Sequence, residues 1–290
     1  MPTVPEKPAT TPIPVQLSAT EFHQFILPHL SMPKRGPRCK LGYHRVFTLI
    51  LWVLYTGMQW KCLPVPKDTP GNAAIHYTTV YKVFARWAAD GSLEEAFIAS
   101  VAHLSDHNPL ALSVLHGDGT NTVAKTGGDG IGYSGHNHQQ GEKVIAIIDN
   151  NGDVLAPLPV APVNPADTVL LPEGLQALKR VARLTGLELD GASLTRDGGF
   201  DAKANRQAIC NAGLLPNIKE NPRNRKTPKR GRKRLFNKAI HALRECVERT
   251  LAWEEKCKRL LLRFEYIQQR HYGLKLMAYT LINLRRFCSA

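Results

Sequence analysis

Two aspartates in this 290-residue chain follow strand-like apolar runs and are themselves followed by glycine. Asp118 lies in SVLHGDGTNTVAK, between Gly117 and Gly119, and Asp197 lies in SLTRDGGFDA. Ligand and catalytic sites of open α/β sheets are built at the carboxyl ends of strands, so both carboxylates are candidates for chemistry. Asp-Gly is also an ordinary turn sequence, and that alternative stays open at both positions.

A third candidate carboxylate, Glu248, lies in FNKAIHALRECVERTLAWEEKCKRL, a segment with the periodicity of one amphipathic helix. His241, Arg244 and Glu248 are spaced by three and four residues, so they share a polar stripe beside the apolar one. Glu248 is therefore expected at the edge of the buried face, where it could point into a cleft at the sheet. A solvated surface glutamate is the alternative.

Three carboxylates in one cleft repel each other, and a divalent cation would offset that repulsion. Oxygen ligands suit Mg²⁺ or Mn²⁺. Two such ions about 4 Å apart activate a nucleophile and stabilise the leaving oxygen in phosphodiester chemistry. The prediction is a two-ion site of Mg²⁺ (or Mn²⁺) on Asp118, Asp197 and Glu248, provided that these side chains converge to within metal-bridging reach.

The charge balance favours a polyanionic partner. Lys and Arg number 38 against 24 Asp and Glu, which gives a net charge of +14 and points to nucleic acid. The run PRNRKTPKRGRKR contains eight of the basic residues: Arg223, Arg225, Lys226, Lys229, Arg230, Arg232, Lys233 and Arg234. A solvated loop explains the run in the free protein, and binding of DNA phosphates is compatible with that.

The cysteines and the apolar runs indicate the compartment. The six cysteines are scattered and form no CxxC pair, which is typical of a reducing environment. The N-terminus lacks the apolar core of a secretory signal, and the apolar run that begins at Val46 is short for a membrane span. A cytoplasmic protein without a membrane-spanning segment is expected.

The elements that must position these residues change character along the chain. Residues 1–16 are predicted as a flexible tail and residues 17–108 as a helical module without strands. Residues 109–290 begin with strands and then alternate helix and strand, which indicates an α/β arrangement with a mixed sheet. In the helical module, 78–89 is the candidate recognition helix of a DNA reader, and a packing or dimerisation module is the alternative.

These segments together resemble the DDE transposases of bacterial insertion sequences. The matching pieces are YTGMQWKCLP, TTVYKVFARWAADGSLEEAF, HGDGT, GDGIGYSGHNHQQGEKVIAIIDNNGDVLAP, APVNPADTVLL, LTRDGGFDA and VERTLAWEEKCKRLLLRFE. The resemblance implies an α/β fold class with an RNase H-like mixed sheet flanked by helices over 109–290. An all-α helix-turn-helix-like, DNA-binding module would precede it over 17–108.

The resemblance also implies roles for single residues. Asp118 and Asp197 would be the catalytic aspartates, Glu248 the catalytic glutamate, and Arg244 the arginine of the C-terminal family signature, which contacts DNA. The signature has Tyr and Lys, which position DNA, where this chain has His241 and Glu255, so the chain departs from the signature at these two positions.

The implied activity is metal-dependent cleavage at terminal inverted repeats followed by strand transfer into target DNA. The implied partners are double-stranded DNA and at least one further copy of the chain, since two ends must be paired. Two alternatives remain: a metal-dependent nuclease of the same fold that cuts without joining, and a non-catalytic DNA-binding derivative of a transposase.

Overall fold

The computed structural model describes residues 11–35, 39–69, 71–107, 110–135, 138–157, 160–221 and 234–289. Within these ranges a group of helices is followed by a mixed sheet with helices packed on both faces, which confirms the predicted α/β class.

Four helices form the N-terminal part: α1 (Ala19–Phe25), α2 (Tyr43–Thr56), α3 (Tyr77–Ala89) and α4 (Ser92–His107). Ser18 caps α1 in a reciprocal capping box with Glu21, and Gly57 ends α2 in the left-handed conformation at φ 74°. Contrary to the prediction, this part also contains a short antiparallel pair, β1 (Lys67–Thr69) and β2 (Asn72–Ala73), next to Gly71 at φ 99°.

The sheet has eight strands: β3 (Val114–Ala124), β4 (Gly132–Ser134), β5 (Gln139–Asp149), β6 (Val154–Pro157), β7 (Ala161–Pro162), β8 (Ser193–Arg196), β9 (Leu215–Ile218) and β10 (Leu262–Arg263). The central order is β4-β5-β3-β8-β9, with β6 and β7 also paired to β5, and β10 paired to β3. β5 is antiparallel to β3, whereas β8 and β10 are parallel to it.

The register of β3 and β8 brings the two aspartates together. The last pair of this parallel ladder is His116 with Thr195. Asp118 and Asp197 each lie two residues further along, so they are neighbours at the carboxyl end of the ladder. β10 joins the same edge of β3 only at Val123 and Ala124, and residues 117–122 therefore lie between the two ladders.

The remaining helices are α5 (Asp167–Thr185), α6 (Lys203–Asn211), α7 (Lys238–Ala242), α8 (Glu245–Glu254) and α9 (Gln268–Leu284). The single helix predicted around Glu248 was wrong, because α7 and α8 are separate. The amides of Leu243 and Arg244 donate to carbonyls three residues back, which tightens the turn between the helices. Arg244 becomes the N-cap residue of α8.

One core connects the helices and the sheet. Buried side chains from Phe22 and Trp87 in the N-terminal helices to Leu115, Ile147 and Leu281 belong to one continuous cluster. Residues 11–16 also differ from a free tail, because Pro14 is buried and Ile13 packs against this core. The boundary at residue 108 stays a prediction, since both parts share the core.

A buried ion pair fixes α8 against α9, and its removal tests this packing. Glu254 binds the ammonium of Lys275 and accepts a 2.7 Å hydrogen bond from the Tyr279 hydroxyl, with all three side chains buried. Glu254→Ala leaves a buried cation without its partner, so we expect a loss of about 3–5 kcal/mol in the free energy of unfolding, measured by urea denaturation.

The neighbouring exposed Glu255 supplies the matched control. Glu255→Ala should change the free energy of unfolding by no more than about 0.5 kcal/mol. Equal losses in both variants would show that the buried pair does not hold α8 in place.

Candidate active site

Asp118 is held by an arginine from the start of α8. Arg244 Nη2 donates to Asp118 Oδ2 at 2.9 Å, and its Nη1 donates to the Gly117 carbonyl at 3.3 Å. The other carboxylate oxygen, Oδ1, accepts the amide of Gly119 at 2.8 Å. The Asp118 side chain is 34% exposed and that of Arg244 is 13% exposed, so solvent reaches the carboxylate while the guanidinium is mostly covered.

Asp197 lies at the end of β8 as the N-cap of a short 3₁₀ helix, Gly198–Phe200, and accepts the Gly199 amide at 3.1 Å. Its side chain is exposed. The carboxylate charge of Asp197 acts on the imidazole of His241. Burial lowers the pKa of His241, Arg244 lowers it further, and the Asp197 carboxylate opposes both. His241 therefore lies within the range of the charges of both Arg244 and Asp197.

Glu248 follows Arg244 by one helical turn on α8 and is exposed. Among the described residues, no group of three His, Cys, Asp or Glu side chains is arranged to hold a metal ion. The structure thus places Asp118 and Asp197 next to each other beyond the last β3–β8 pair, although β3 does not end at Asp118 as predicted but continues to Ala124. The expected convergence with Glu248 stays a prediction.

The glycines beside Asp118 make room for the protein's own side chains. A Cβ on Gly117 would lie 2.2 Å from Arg196 Cζ, and a Cβ on Gly119 would lie 2.9 Å from Asp167 Oδ2. The Gly-Asp-Gly sequence is therefore not a simple turn, since Asp118 lies within β3. Arg196 fills the space beside Gly117, and Asp167 fills the space beside Gly119. Both lie on the face of β3 opposite to the Asp118 side chain.

Arg196 is the residue immediately before Asp197 and is fully buried. Its guanidinium lies 4.9 Å from the centre of the Phe200 ring, and none of its three nitrogens has a hydrogen-bond partner within the described ranges. Burial lowers the pKa of Arg196 to about 10, with the Asp118 carboxylate as the largest opposing influence. The side chain is therefore a cation at neutral pH. The burial of Arg196 was not predicted from the sequence, because Arg-Asp-Gly-Gly resembles an exposed turn.

A second ion pair lies on the same face. Asp167, the first residue of α5, binds Lys143 Nζ at 2.7 Å, and Lys143 also donates to the Pro165 carbonyl at 2.6 Å. This pair fixes the beginning of α5 against β5, beside Gly119. Neither residue was singled out from the sequence, although a buried lysine within an apolar strand is a signal for a buried partner.

His116 ties the first aspartate's strand to its surroundings. Its ring nitrogens lie 2.8 Å from Thr195 Oγ1 and 3.0 Å from Asn150 Oδ1. Burial lowers the pKa of His116 to about 4, so the ring is neutral at pH 7. The two contacts connect β3 to β8 and to the β5–β6 turn just before Asp118, which fixes the register at the site.

The two ends of the basic segment are fixed next to Asp197. Asp201 forms ion pairs with Arg234 and with Arg206, the latter at 3.0 Å, and its Oδ2 accepts the Asn221 amide at 3.0 Å. Arg234, predicted to bind DNA, is thus engaged within the protein. The other seven predicted DNA-binding residues lie outside the described residues: Arg223, Arg225, Lys226, Lys229, Arg230, Arg232 and Lys233.

Comparison with known families identifies the family of the chain. Residues 112–281, more than half of the chain, match the family described as transposase DDE domain. Residues 20–97 match a putative transposase of the IS4/5 family. The chain belongs to the DDE transposase family. It matches no curated protein and no solved structure in these comparisons.

The predicted DNA transposase function and insertion-sequence origin are therefore confirmed at the level of the family. Within the described parts of this transposase, no helix is both long enough and apolar enough to cross a membrane. Glu255 is the exposed C-cap residue of α8, next to the exposed Lys256.

The contact between Gly117 and Arg196 predicts a cost for any side chain at residue 117. Gly117→Ala forces the guanidinium and the strand apart, so we expect a loss of about 1–3 kcal/mol in the free energy of unfolding, measured by chemical denaturation.

Gly135→Ala is the control, because an added Cβ there has open space within 4 Å. It should leave the free energy of unfolding within about 0.5 kcal/mol of the wild type. If Gly117→Ala behaved like the control, the space over Gly117 would not be filled by Arg196 in solution.

Proposed function

We propose that this transposase cuts DNA at the ends of its element and joins the freed ends to target DNA, using Asp118, Asp197 and Glu248 as its catalytic carboxylates. The observation that carries the proposal is the register of the parallel β3–β8 ladder, which makes Asp118, within β3, and Asp197, directly after β8, neighbours just beyond the last pair of the ladder. A pair of turn aspartates would not need this register.

The two aspartates fit a divalent cation. Their donor atoms are carboxylate oxygens, both side chains are accessible to solvent, and Asp197 Oδ2 has no hydrogen-bond partner among the described residues. Bound Mg²⁺ or Mn²⁺, as a pair of ions, would act as a Lewis acid that activates water and stabilises the leaving oxygen. Asp118 and Asp197 would hold the ions, and Glu248 would complete the ligand set.

Glu248 has to approach the aspartates for this, and the position of α8 favours such a movement. Arg244 already touches Asp118, and Glu248 lies about 6 Å further along the same helix. If Arg244 exchanged the Asp118 carboxylate for a DNA phosphate, α8 could bring Glu248 toward the strand ends. Arg244 would then contact DNA, as the family signature implies.

The reaction balances as two in-line displacements. In the first, a water oxygen bonds to the phosphorus at the element's end, the bond to the 3′ oxygen breaks, and a 3′-OH and a 5′-phosphate result. In the second, that 3′-OH attacks a target phosphodiester and releases another 3′-OH. The role of the protein is to position the strands and to stabilise charge.

The basic segment would guide the DNA to this centre. Asp201, four residues after Asp197, holds both Asn221 and Arg234, so the segment between them starts and ends beside the site. Its seven remaining basic residues would bind phosphates and release counterions. Cleavage of two paired ends requires at least two copies of the chain on the DNA.

Strand cleavage tests the proposal directly. A duplex that carries the inverted repeats flanking this gene is incubated with Mg²⁺ and wild-type protein, Asp118→Asn, Asp197→Asn or Glu248→Gln. Each substitution should lower the cleavage rate by roughly 100-fold or more, because it removes one charged ligand of the centre. Asp190→Asn, an exposed aspartate on the loop before β8, is the control and should cleave like the wild type.

The products separate the alternatives. Cleavage with joining to a second duplex supports the transposase, cleavage without joining indicates a nuclease, and binding without cleavage by the wild type indicates a non-catalytic derivative. Unchanged cleavage in Asp118→Asn would contradict the assigned centre.

The salt dependence of binding tests the basic segment. In Lys229→Ser/Arg230→Ser, the slope of log binding constant against log salt should flatten by about 0.9 for each DNA phosphate that the variant no longer neutralises. The control is Lys179→Ser/Arg183→Ser, which removes the same charge from the exposed part of α5. Equal slopes for the two double variants would show that only net charge matters.

A further inference from the structure

Arg196 is a buried cation without a direct partner. Its exposure is 0%, and its Nε, Nη1 and Nη2 atoms make no hydrogen bond within the part of the chain that the structure describes. A buried charge of this kind is strongly unfavourable unless its surroundings compensate it. Other buried arginines of this chain are paired: Arg263 binds Glu142 at 2.5 Å, and Arg285 binds Asp153 at 2.5 Å.

The compensation comes from the candidate site. The carboxylates of Asp118, Asp167 and Asp197 each stabilise the charged guanidinium, and the second guanidinium of the site, Arg244, opposes them. The Phe200 ring adds a cation–π contact at 4.9 Å. Arg196 thus interacts with the carboxylates through their field instead of through hydrogen bonds.

Its position distinguishes it from Arg244. The guanidinium lies against Gly117, on the face of β3 opposite to the Asp118 carboxylate, where the missing Cβ leaves the space. DNA and metal ions cannot reach it there. Arg244 is partly exposed and can exchange partners, whereas Arg196 stays in place.

We propose that Arg196 is a positioning residue of the reaction centre: its fixed positive charge holds Asp118 and Asp197 side by side against their mutual repulsion while no metal ion is bound. The inference rests on the proposed function, since it concerns the same two carboxylates. It assigns to this chain an internal counter-ion that the binding of the metal does not displace.

A fixed cation at this position also weakens the binding of metal ions, because it repels them. Its removal should therefore destabilise the metal-free protein and strengthen metal binding together. A residue that only fills space under Gly117 would change stability without changing the affinity for metal, which makes the two roles separable.

The test measures Mn²⁺ binding to the full-length protein without DNA, by the electron paramagnetic resonance signal of free Mn²⁺. Arg196→Met removes the charge and keeps an unbranched side chain over Phe200, and we expect roughly fivefold tighter Mn²⁺ binding. Arg196→Lys keeps the charge and should bind within about twofold of the wild type. Arg206→Met removes a guanidinium bound to Asp201 instead, and should also stay within about twofold.

Thermal unfolding with and without Mn²⁺ gives the second readout. The loss in Tm for Arg196→Met should be larger without the metal than with it. An unchanged Mn²⁺ affinity, or equal losses in Tm under both conditions, would overturn the inference. If Arg196→Met does not fold without metal, Mn²⁺ should restore its folding. If both Arg196→Met and Arg196→Gln fail to fold even with Mn²⁺, that result would contradict the proposed role of Arg196.

Asp118→Asn separates this inference from the proposed function. It should weaken Mn²⁺ binding by about tenfold or more if Asp118 is a ligand. Equal Mn²⁺ binding by Asp118→Asn and wild type would contradict the proposed metal site at Asp118, and with it the proposed function. Weak binding by Asp118→Asn together with wild-type binding by Arg196→Met would overturn only the role of Arg196.

Discussion

The contact between Asp118 and Arg244 connects the two halves of the candidate centre. Asp118 belongs to the central strand of the sheet, and Arg244 is the residue at which α7 gives way to α8. The 2.9 Å ion pair therefore joins β3 to the helix that carries Glu248. The pair is partly exposed. In the proposed function, a metal ion competes for Asp118 and a DNA phosphate competes for Arg244, and this exchange would release α8 from β3.

Charge balance explains the unusual composition around this contact. The neighbouring carboxylates of Asp118 and Asp197 repel each other, and arginines on both faces of β3 offset that repulsion. Arg244 contacts Asp118 on one face, and Arg196 and the Lys143–Asp167 pair lie on the other. The glycines at 117 and 119 are needed because these side chains lie directly against the strand. In this account Arg244 can leave Asp118, whereas the buried Arg196 stays in place. Arg196 would therefore keep the two aspartates in register if α8 moved.

The parts of this arrangement that depend on local signals could be predicted from the sequence. Both Asp-Gly pairs follow apolar runs, so Asp118 and Asp197 could be selected as neighbours without a structure. The strand end was right for Asp197 and wrong for Asp118, because β3 continues to Ala124 in its pairing with β5. Glu248 was chosen from helical periodicity, which cannot show that the helix breaks at Arg244. The roles of Asp167 and Asp201 were not predicted, because Lys143 and Arg234 lie 24 and 33 residues away from them along the chain. The role of Arg196 was not predicted, because its burial against Gly117 depends on the register of β3 and β8.

The most direct test is a crystal structure of the full chain grown with Mn²⁺, with the ions located by anomalous scattering. We predict an Mn²⁺ peak between the carboxylates of Asp118 and Asp197, with Arg244 moved away from Asp118 and Arg196 unmoved over Gly117. An Mn²⁺ peak elsewhere with the Asp118–Arg244 pair intact, at a concentration that supports DNA cleavage, would contradict the assignment of this centre.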